Sequence, residues 1–199
     1  MLNIYLLRHG QTAWNADGNR YCGRTDLPLT ETGLEQARLA SEQLKDIAFD
    51  AVYASPLLRA SHTARIASGQ QEVKTDARLI EADFGLWEGK SKEVFIPENE
   101  QLWHSWCQDP ASTRAGETGE SAQEIVTRVD DFYQSLQQQY PSGKVLVVAH
   151  NGVNRFYLAY KLGMPLKYYR RLVQDNSSVT LFGLDETGEI SLMRLNSKL

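Results

Sequence analysis

Three apolar segments of this chain each run into a polar turn that precedes a helical pattern. The segments cover residues 4–7, 49–54 and 144–149, and the turns after them contain Arg8-His9-Gly10, Ser55-Pro56 and His150-Asn151-Gly152. Short apolar runs that end in polar turns are typical of buried strands. Strands that alternate with helices favour a sheet covered by helices on both faces. We therefore predict an α/β fold, a three-layer α/β/α sandwich around a mostly parallel sheet.

The remaining periodicity predicts the other elements. Apolar residues recur at helical spacing over 34–44, 58–67, 125–136 and 152–162, and a closing C-terminal hairpin pairs 179–184 with 190–195. Thr30 or Thr32 is the N-cap of the first helix, while Ser121 and Glu124 form a capping box before the third. We expect a loop over 15–29 and a short strand within 73–79.

Residues 84–120 show little periodicity and contain scattered Gly, Pro and Trp residues. Such a stretch predicts an insertion that covers part of the fold, and we call it the cap. The chain has 199 residues, which suits one domain better than two. Because no repeat, linker or low-complexity tract interrupts it, we predict a single domain over 1–199.

The composition limits the partners. A net charge of −4 argues against nucleic acid as a bulk partner, because binding to phosphate backbones needs a basic face. No apolar run approaches the ~20 residues of a membrane helix, and the first residues lack the features of a signal peptide. Cys22 and Cys107 are too few for a disulfide framework and predict free thiols in the cytoplasm. A small-molecule partner is favoured, with monomer and homodimer both open.

Four basic residues lie where the predicted strands end. They are Arg8, His9, Arg59 and His150. In open α/β sheets, ligands bind beyond the carboxyl ends of the strands, near helix N-termini. Positive groups gathered there on an acidic protein predict a focused anion site. Gly10 and Gly152 would leave room for a ligand next to the backbone, whereas His62 and His104 show no such placement.

Ordered motifs along the chain resemble one known family. They are Leu7-Arg8-His9-Gly10-Gln11-Thr12-Ala13-Trp14-Asn15, Pro28-Leu29-Thr30, Gly33, Gln36-Ala37, Ser55-Pro56-Leu57, Arg59-Ala60, Thr63-Ala64, Glu81, Phe84-Gly85, Trp87-Glu88-Gly89 and Ala149-His150-Asn151-Gly152. This set resembles the histidine phosphatase superfamily, which includes the cofactor-dependent phosphoglycerate mutases. The resemblance implies a phosphoglycerate mutase-like fold.

The resemblance also implies a mechanism. Neutral His9 would attack phosphorus and form a phosphohistidine. The phosphoryl oxygens would be stabilised by Arg8, Arg59 and His150. His150 would then be at least partly protonated, and Asn15 would add a hydrogen bond. Glu81 would be the general acid, then the base, with partial burial beside anionic phosphate helping it to hold a proton.

Glu88 matches a second, supporting glutamate of the family. The neighbouring residues Gly10, Tyr21, Cys22, Gly23, Asn151 and Gly152 would join Asn15 in binding substrate. The mechanism calls for no metal and no cofactor.

The cap bears on the substrate. Residues 94–108 contain no Lys or Arg, although a mutase that holds a bisphosphate would need basic residues there. This favours a phosphatase whose substrate carries one phosphate and a partly apolar body in contact with Tyr21, Phe95, Trp103 or Trp106. Short matches at 106–109, 119–120 and 195–197 resemble α-ribazole phosphatases of cobalamin biosynthesis, and broad-specificity phosphatases share much of them. The alternatives are a phosphoglycerate mutase and a non-catalytic module that binds phosphate ligands.

Overall fold

A mixed six-stranded sheet lies at the centre of the molecule, in a computed structural model that describes residues 1–70 and 72–198. The strands are β1 (Leu2–Arg8), β2 (Ala51–Ala54), β3 (Lys74–Thr75), β4 (Gly143–Ala149), β5 (Val179–Leu184) and β6 (Ile190–Ser197). Their order is β3-β2-β4-β1-β5-β6. The first four are parallel to one another, while β5 and β6 are antiparallel to their neighbours. The sheet is therefore mostly parallel with a C-terminal hairpin, as predicted.

Helices cover both faces of this sheet. They are α1 (Ala13–Ala16), α2 (Glu31–Leu44), α3 (Leu58–Ser68), α4 (Lys92–Glu98), α5 (Glu100–Gln108), α6 (Ala122–Gln139) and α7 (Asn151–Lys161). Side chains alternate along β4, so that Val145 and Val147 join the core with α6 and α7, while Leu146 and Val148 join a second core with α2 and α3. This alternation confirms the three-layer α/β/α arrangement.

The helix starts follow local side-chain chemistry. Thr30, rather than Thr32, caps α2, because its side chain accepts a hydrogen bond of 3.1 Å from Gly33 N. At α6 the predicted capping box is present, with reciprocal bonds between Ser121 and Glu124. The short α1 ends at Ala16, so the predicted loop begins two residues later than expected.

The cap contains regular structure that the sequence pattern did not reveal. Within 84–120 lie a 3₁₀ turn (Gly85–Trp87), α4 and α5. The two helices have only 7 and 9 residues and are separated at Asn99, whose side chain caps α5 by accepting from Leu102 N. Helices this short hold fewer than three turns each, too few to show a periodic pattern.

The predicted strand within 73–79 is also shorter than expected. Only Lys74 and Thr75 pair with β2, and a 3₁₀ turn (Ala77–Leu79) follows. Asp76 ends the strand because its carboxylate accepts from Arg78 N at 2.8 Å. Across 1–70 and 72–198, none of the helices has the length and apolar character to cross a membrane.

Candidate active site

The adjacent strands β1 and β4 bring the two predicted histidines together. Arg8 pairs with Ala149 at the ends of these strands, and His9 N donates to Ala149 O at 3.0 Å. The next residues, His9 and His150, therefore leave the same sheet edge, and their ring centroids lie 5.1 Å apart. The parallel pairing of two strands far apart in sequence thus creates this site.

His9 is held in one tautomer. Its Nδ1 lies 2.7 Å from Gly10 O, and a carbonyl oxygen can only accept, so Nδ1 carries the proton. Burial, together with the charges of Arg59 and Arg8, lowers the pKa of His9 well below its usual value. The neutral ring therefore keeps a free lone pair on Nε2, which is the state required of a nucleophile.

Gly10 has a packing role. A Cβ at this position would lie 2.5 Å from Gly33 O, so the backbone of α2 fills the space that we assigned to a ligand. The amide of Gly10 donates to Thr63 Oγ1 at 3.0 Å. Gly10 lies outside the cavity lining and lets α2 approach the β1 turn, and its contact with substrate stays a prediction.

Arg59 and His150 lie behind His9. Both are completely buried and outside the cavity lining. The guanidinium of Arg59 donates to three carbonyl oxygens of the preceding loop, those of Cys22, Gly23 and Thr25, at 2.8–3.3 Å. Arg8 and His9 line the cavity, and the other two residues of the predicted anion site lie beneath it. Direct contact of those two with the phosphoryl oxygens stays a prediction.

His150 is neutral in this arrangement. Arg59 Nε, which can only donate, lies 3.2 Å from His150 Nδ1, so the ring proton is on Nε2 and points to Ser55 Oγ at 2.7 Å. Burial, followed by the charges of Arg59 and His9, lowers the pKa of His150 well below its usual value. Partial protonation of His150 beside a bound phosphoryl group stays a prediction.

Glu81 is fixed at the N-terminus of α7. Its carboxylate accepts from Gly152 N at 2.9 Å, Val153 N at 3.0 Å and Ala82 N at 2.9 Å, and the side chain also lines the cavity. Gly152 makes this possible, since a Cβ there would lie 2.6 Å from Glu81 Oε1. Gly152 therefore provides room for the predicted acid, as well as lining the cavity.

Glu88 has a structural position. Its carboxylate accepts from Gly23 N and Thr25 N at 2.9–3.1 Å and is absent from the cavity lining. Gly23 is likewise turned to the protein, with its amide on Glu88 and its carbonyl on Arg59. These bonds make Gly23 part of the loop that holds Arg59, and its contact with substrate stays a prediction.

A cavity of about 170 Å³ joins the remaining predicted residues. Those that line it are Arg8, His9, Asn15, Tyr21, Cys22, Glu81, Asn151 and Gly152. Arg8 donates from Nη1 to Gln174 O at 2.9 Å, and its buried Nε has no partner among the described residues. Burial, with a contribution from Arg155, lowers the pKa of Arg8 to about 10, so it remains a cation at neutral pH. Burial raises the pKa of Cys22 to about 11, which keeps it a thiol.

Asn15 is oriented by its neighbours. Its Oδ1 accepts from Thr12 N at 3.0 Å and from Asn176 Nδ2 at 3.4 Å, so the amide group is not free to flip. Asn176 also donates to His9 O at 2.9 Å. Sequence reasoning missed Asn176, because it lies in a loop before β5 with no motif around it.

Sequence reasoning also missed three basic residues that helices contribute to the cavity wall. Lys92 comes from α4, Arg155 from α7, and Arg170 from the 3₁₀ helix Leu166–Arg171. One signal was present: Arg155 lies four residues after Asn151, which places both on one face of a helix. Arg170 had no comparable signal.

Two of the predicted aromatic contacts are core residues instead. Trp106 is 0% exposed and Phe95 1% exposed, and neither lines the cavity. Trp106 packs against Phe156 of α7 with ring centroids 6.1 Å apart, which anchors the cap to the main core. Tyr21 does line the cavity, whereas Trp103 lies outside its lining. His62 and His104 are exposed and outside it as well.

The site's titratable groups are mainly cations and histidines. Across residues 1–70 and 72–198, no group of three or more His, Cys, Asp and Glu residues is arranged to hold a metal ion. What the arrangement offers is an anion site with a neutral imidazole nucleophile and one carboxyl group.

Similar proteins include phosphatases and a probable phosphoglycerate mutase. Phosphoserine phosphatase 1 of Hydrogenobacter thermophilus is 30% identical over 98% of this chain and 92% of its own length. The adenosylcobalamin/alpha-ribazole phosphatase of Escherichia coli is 34% identical over 82% of this chain and 81% of its own. The probable phosphoglycerate mutase GpmB of Yersinia pestis is 34% identical over 94% and 87%.

Structural comparison agrees with these relatives. The crystal structure of phosphoserine phosphatase from Entamoeba histolytica in complex with 3-phosphoglyceric acid has a TM-score of 0.89 and 28% identity, and the match covers 100% of this chain and 98% of that one. The profile of the histidine phosphatase superfamily (branch 1) matches residues 4–198. The chain therefore belongs to the histidine phosphatase superfamily, and it is a phosphatase of that type.

Proposed function

We propose that this protein hydrolyses small phosphomonoesters, without a metal, through a phosphohistidine formed on His9. The observation that carries the proposal is the state of His9 itself. The ring is neutral, its Nδ1 proton is bound to Gly10 O, and Arg8 and Glu81 line the same cavity. A lone pair beside a fixed cation and a fixed acid suits in-line phosphoryl transfer.

The first step transfers the phosphoryl group to the protein. His9 Nε2 attacks phosphorus, the bond from phosphorus to the ester oxygen breaks, and Glu81, protonated in the substrate complex, gives its proton to the leaving oxygen. Arg8 stabilises the phosphoryl oxygens, and Asn15, oriented by Thr12 and Asn176, offers its Nδ2 protons to them. Arg59, beneath the cavity, holds the loop that contains Cys22 and Gly23, and it also orients the imidazole of His150.

The second step returns the protein to its starting state. Glu81, now ionised, takes a proton from water as the water oxygen attacks phosphorus and the bond to Nε2 breaks. Inorganic phosphate leaves, and His9 is neutral again. The three backbone amides that hold Glu81 keep its carboxylate in one position through both steps.

The cavity also bears on substrate size. Its volume of about 170 Å³ is below the roughly 300–1,000 Å³ of sites that hold drug-sized ligands. This favours a compact ester. An α-ribazole phosphate is a second candidate, supported by the relative from Escherichia coli and by the cap motifs. It is separated from compact esters by comparing phosphate release from α-ribazole phosphate, phosphoserine and 3-phosphoglycerate.

The decisive test is to trap the intermediate. Rapid quench with a ³²P-labelled ester should give a phosphoprotein that is labile in acid and stable in base, as expected for phosphohistidine, and His9→Ala should not form it. Turnover in the presence of EDTA should be unchanged. Absence of the phosphoprotein in the wild type would disprove the mechanism.

The same preparation separates the two alternative functions. A mutase would interconvert 2- and 3-phosphoglycerate faster than it releases phosphate. A binding module would retain phosphate ligands and show neither reaction.

A further inference from the structure

The cavity has a second charged region that the phosphoryl-transfer steps do not use. Lys92, Arg155 and Arg170 line it, and none of them forms a salt bridge with any residue that the structure describes. Other part-buried arginines are neutralised: Arg128 pairs with Glu120 at 2.8 Å, and Arg78 pairs with Asp76 at 2.7 Å. Burying unpaired charge is unfavourable, so the part-buried Arg155 and Arg170, with the exposed Lys92 beside them, need an explanation.

Aromatic rings separate the three cations in a defined order. The guanidinium carbons of Arg155 and Arg170 lie 5.0 and 4.6 Å from the Tyr169 ring centroid. Arg170 also lies 4.8 Å from the Trp103 ring, and Lys92 Nζ lies 5.6 Å from that ring. The sequence Arg155, Tyr169, Arg170, Trp103, Lys92 thus forms a stack, which we call the cation ladder. Each ring attracts the cations beside it and keeps them in place without a carboxylate.

Two of the three cations lie where their charge is disfavoured, whereas Tyr169 and Tyr21, against the effect of burial, raise the pKa of Arg170. Burial, followed by the charges of Arg170 and Arg155, lowers the pKa of Lys92. Burial is also the largest cause of the lowered pKa of Arg155. An anion placed against these groups would relieve their mutual repulsion and replace lost solvation.

The ladder is joined to the phosphoryl site. Arg155 Nε donates to Asn151 O at 3.2 Å, in the first turn of α7, where Glu81 is held. Arg170 Nη2 donates to the hydroxyl of Tyr21, which also lines the cavity, at 3.5 Å. The ladder and His9 therefore face the same cavity. Because this cavity is small, a ligand that contacts both must carry its two contacting groups only a few bonds apart.

We propose that the cation ladder binds a second anionic group of the substrate, a carboxylate or a second phosphate, a few bonds from the ester that His9 attacks. This deepens the proposed function and rests on it. It also replaces the partly apolar substrate body predicted from the cap: the cap supplies only one of the cations, and α7 with the following 3₁₀ helix supplies the other two. A phosphorylated nucleoside without a second acid group would leave the ladder unpaired.

Three esters that differ at one position test the proposal. Glycerol 3-phosphate carries a hydroxymethyl group where 3-phosphoglycerate carries a carboxylate, and glycerol 1,3-bisphosphate carries a second phosphate. We expect kcat/KM for 3-phosphoglycerate or for glycerol 1,3-bisphosphate to exceed that for glycerol 3-phosphate by about 10- to 100-fold. This range corresponds to one or two hydrogen bonds between charged groups. The preferred ester identifies the group as carboxylate or phosphate. Equal kcat/KM for all three would overturn the proposal.

Matched variants locate the preference. Arg170→Gln should lower the ratio of kcat/KM between the preferred ester and glycerol 3-phosphate about tenfold, whereas Arg171→Gln, at the exposed next residue, should leave it unchanged. Lys92→Gln should also lower this ratio, and because Lys92 is exposed, we expect the variant to fold. Its control is Lys90→Gln, which removes a lysine that pairs with Glu98 instead. If the variants lower kcat/KM equally for all three esters, the ladder does not recognise the second anionic group of the substrate.

Binding separates this proposal from the catalytic one. Calorimetric titration of His9→Ala with the same three esters needs no turnover. Tighter binding of the acid-bearing esters supports the ladder even if no phosphoprotein forms in the wild type. Equal affinities, in an enzyme that does form the phosphoprotein, would overturn the ladder proposal and leave the proposed function intact.

Discussion

The two ends of the cavity are built in different ways. At the catalytic end, Arg8, His9 and Glu81 are held by backbone groups at strand ends and at a helix N-terminus, and all three are at least nine-tenths buried. At the ladder, the cations are held by aromatic faces on segments outside the sheet, and they are more exposed. The difference indicates a division of labour in which the sheet edge fixes the chemistry and the outer wall selects the substrate.

Removing the nucleophile is the most drastic way to test this division. His9→Ala should lower kcat by at least about 10⁴-fold, since loss of a nucleophile removes the chemical step itself. If the ends are separate, the preference for acid-bearing esters should persist in binding. Single-turnover phosphate release and calorimetry measure the two properties. A variant that loses the preference together with turnover would show that the two ends act as one unit.

Replacing the acid comes next in size. Glu81→Gln should lower kcat for alkyl phosphates about 10²- to 10⁴-fold, because both proton transfers are lost. With p-nitrophenyl phosphate, whose leaving group needs no proton, the first step should survive, and stopped-flow absorbance should show a stoichiometric burst followed by slow turnover.

Glu88→Gln is the matched control, since Glu88 also accepts backbone amide hydrogen bonds but lies outside the cavity lining. It should lower thermal stability and give no burst. A burst in Glu88→Gln as large as in Glu81→Gln would contradict the assignment of Glu81.

The catalytic end could be predicted from the sequence because each strand is an apolar run and the residues that follow it mark where the strand ends. Arg8, His9 and His150 follow apolar runs, and parallel pairing brings such ends together. Sequence reasoning did not find how Arg59 and His150 are used, since that depends on the carbonyls of a loop whose path has no periodicity. It missed Arg170 because the ladder forms only when α4, α5, α7 and the 3₁₀ helix after it meet in space.

The buried histidines should make the catalytic end sensitive to acid. The pKa values of His9 and His150 are lowered in the folded protein, so the unfolded chain binds up to two more protons below about pH 6.5, the usual histidine value. Stability should therefore be unaffected by these groups above pH 6.5. Below it, the free energy of unfolding should fall by up to about 1.4 kcal/mol per pH unit for each histidine, until the folded-state pKa is reached.

Urea unfolding at pH 7.5, 6.5 and 5.5 measures this slope. His9→Ala should lose up to about half of it, whereas His62→Asn, at an exposed histidine, should keep the wild-type slope. The arginines of the ladder stay charged throughout this range, so Arg170→Gln should also keep it. An unchanged slope in His9→Ala would contradict the burial argument for the nucleophile.

The smallest expected effect probes the ladder without removing a charge. Trp103 lies between Arg170 and Lys92, and Trp103→Leu removes the ring while keeping an apolar side chain. A cation–π contact at a part-exposed site contributes about 0.5–1 kcal/mol, so the two contacts correspond to a rise in KM of about 5- to 30-fold at most, and partial repacking should reduce this to a few-fold. Because the ring touches no reacting group, kcat should stay within about twofold, and the rise in KM should be larger for the acid-bearing ester than for glycerol 3-phosphate. Steady-state kinetics on both esters decides the point: a fall in kcat with unchanged KM would mean that the ladder positions the catalytic end, and the division between the two ends would not hold.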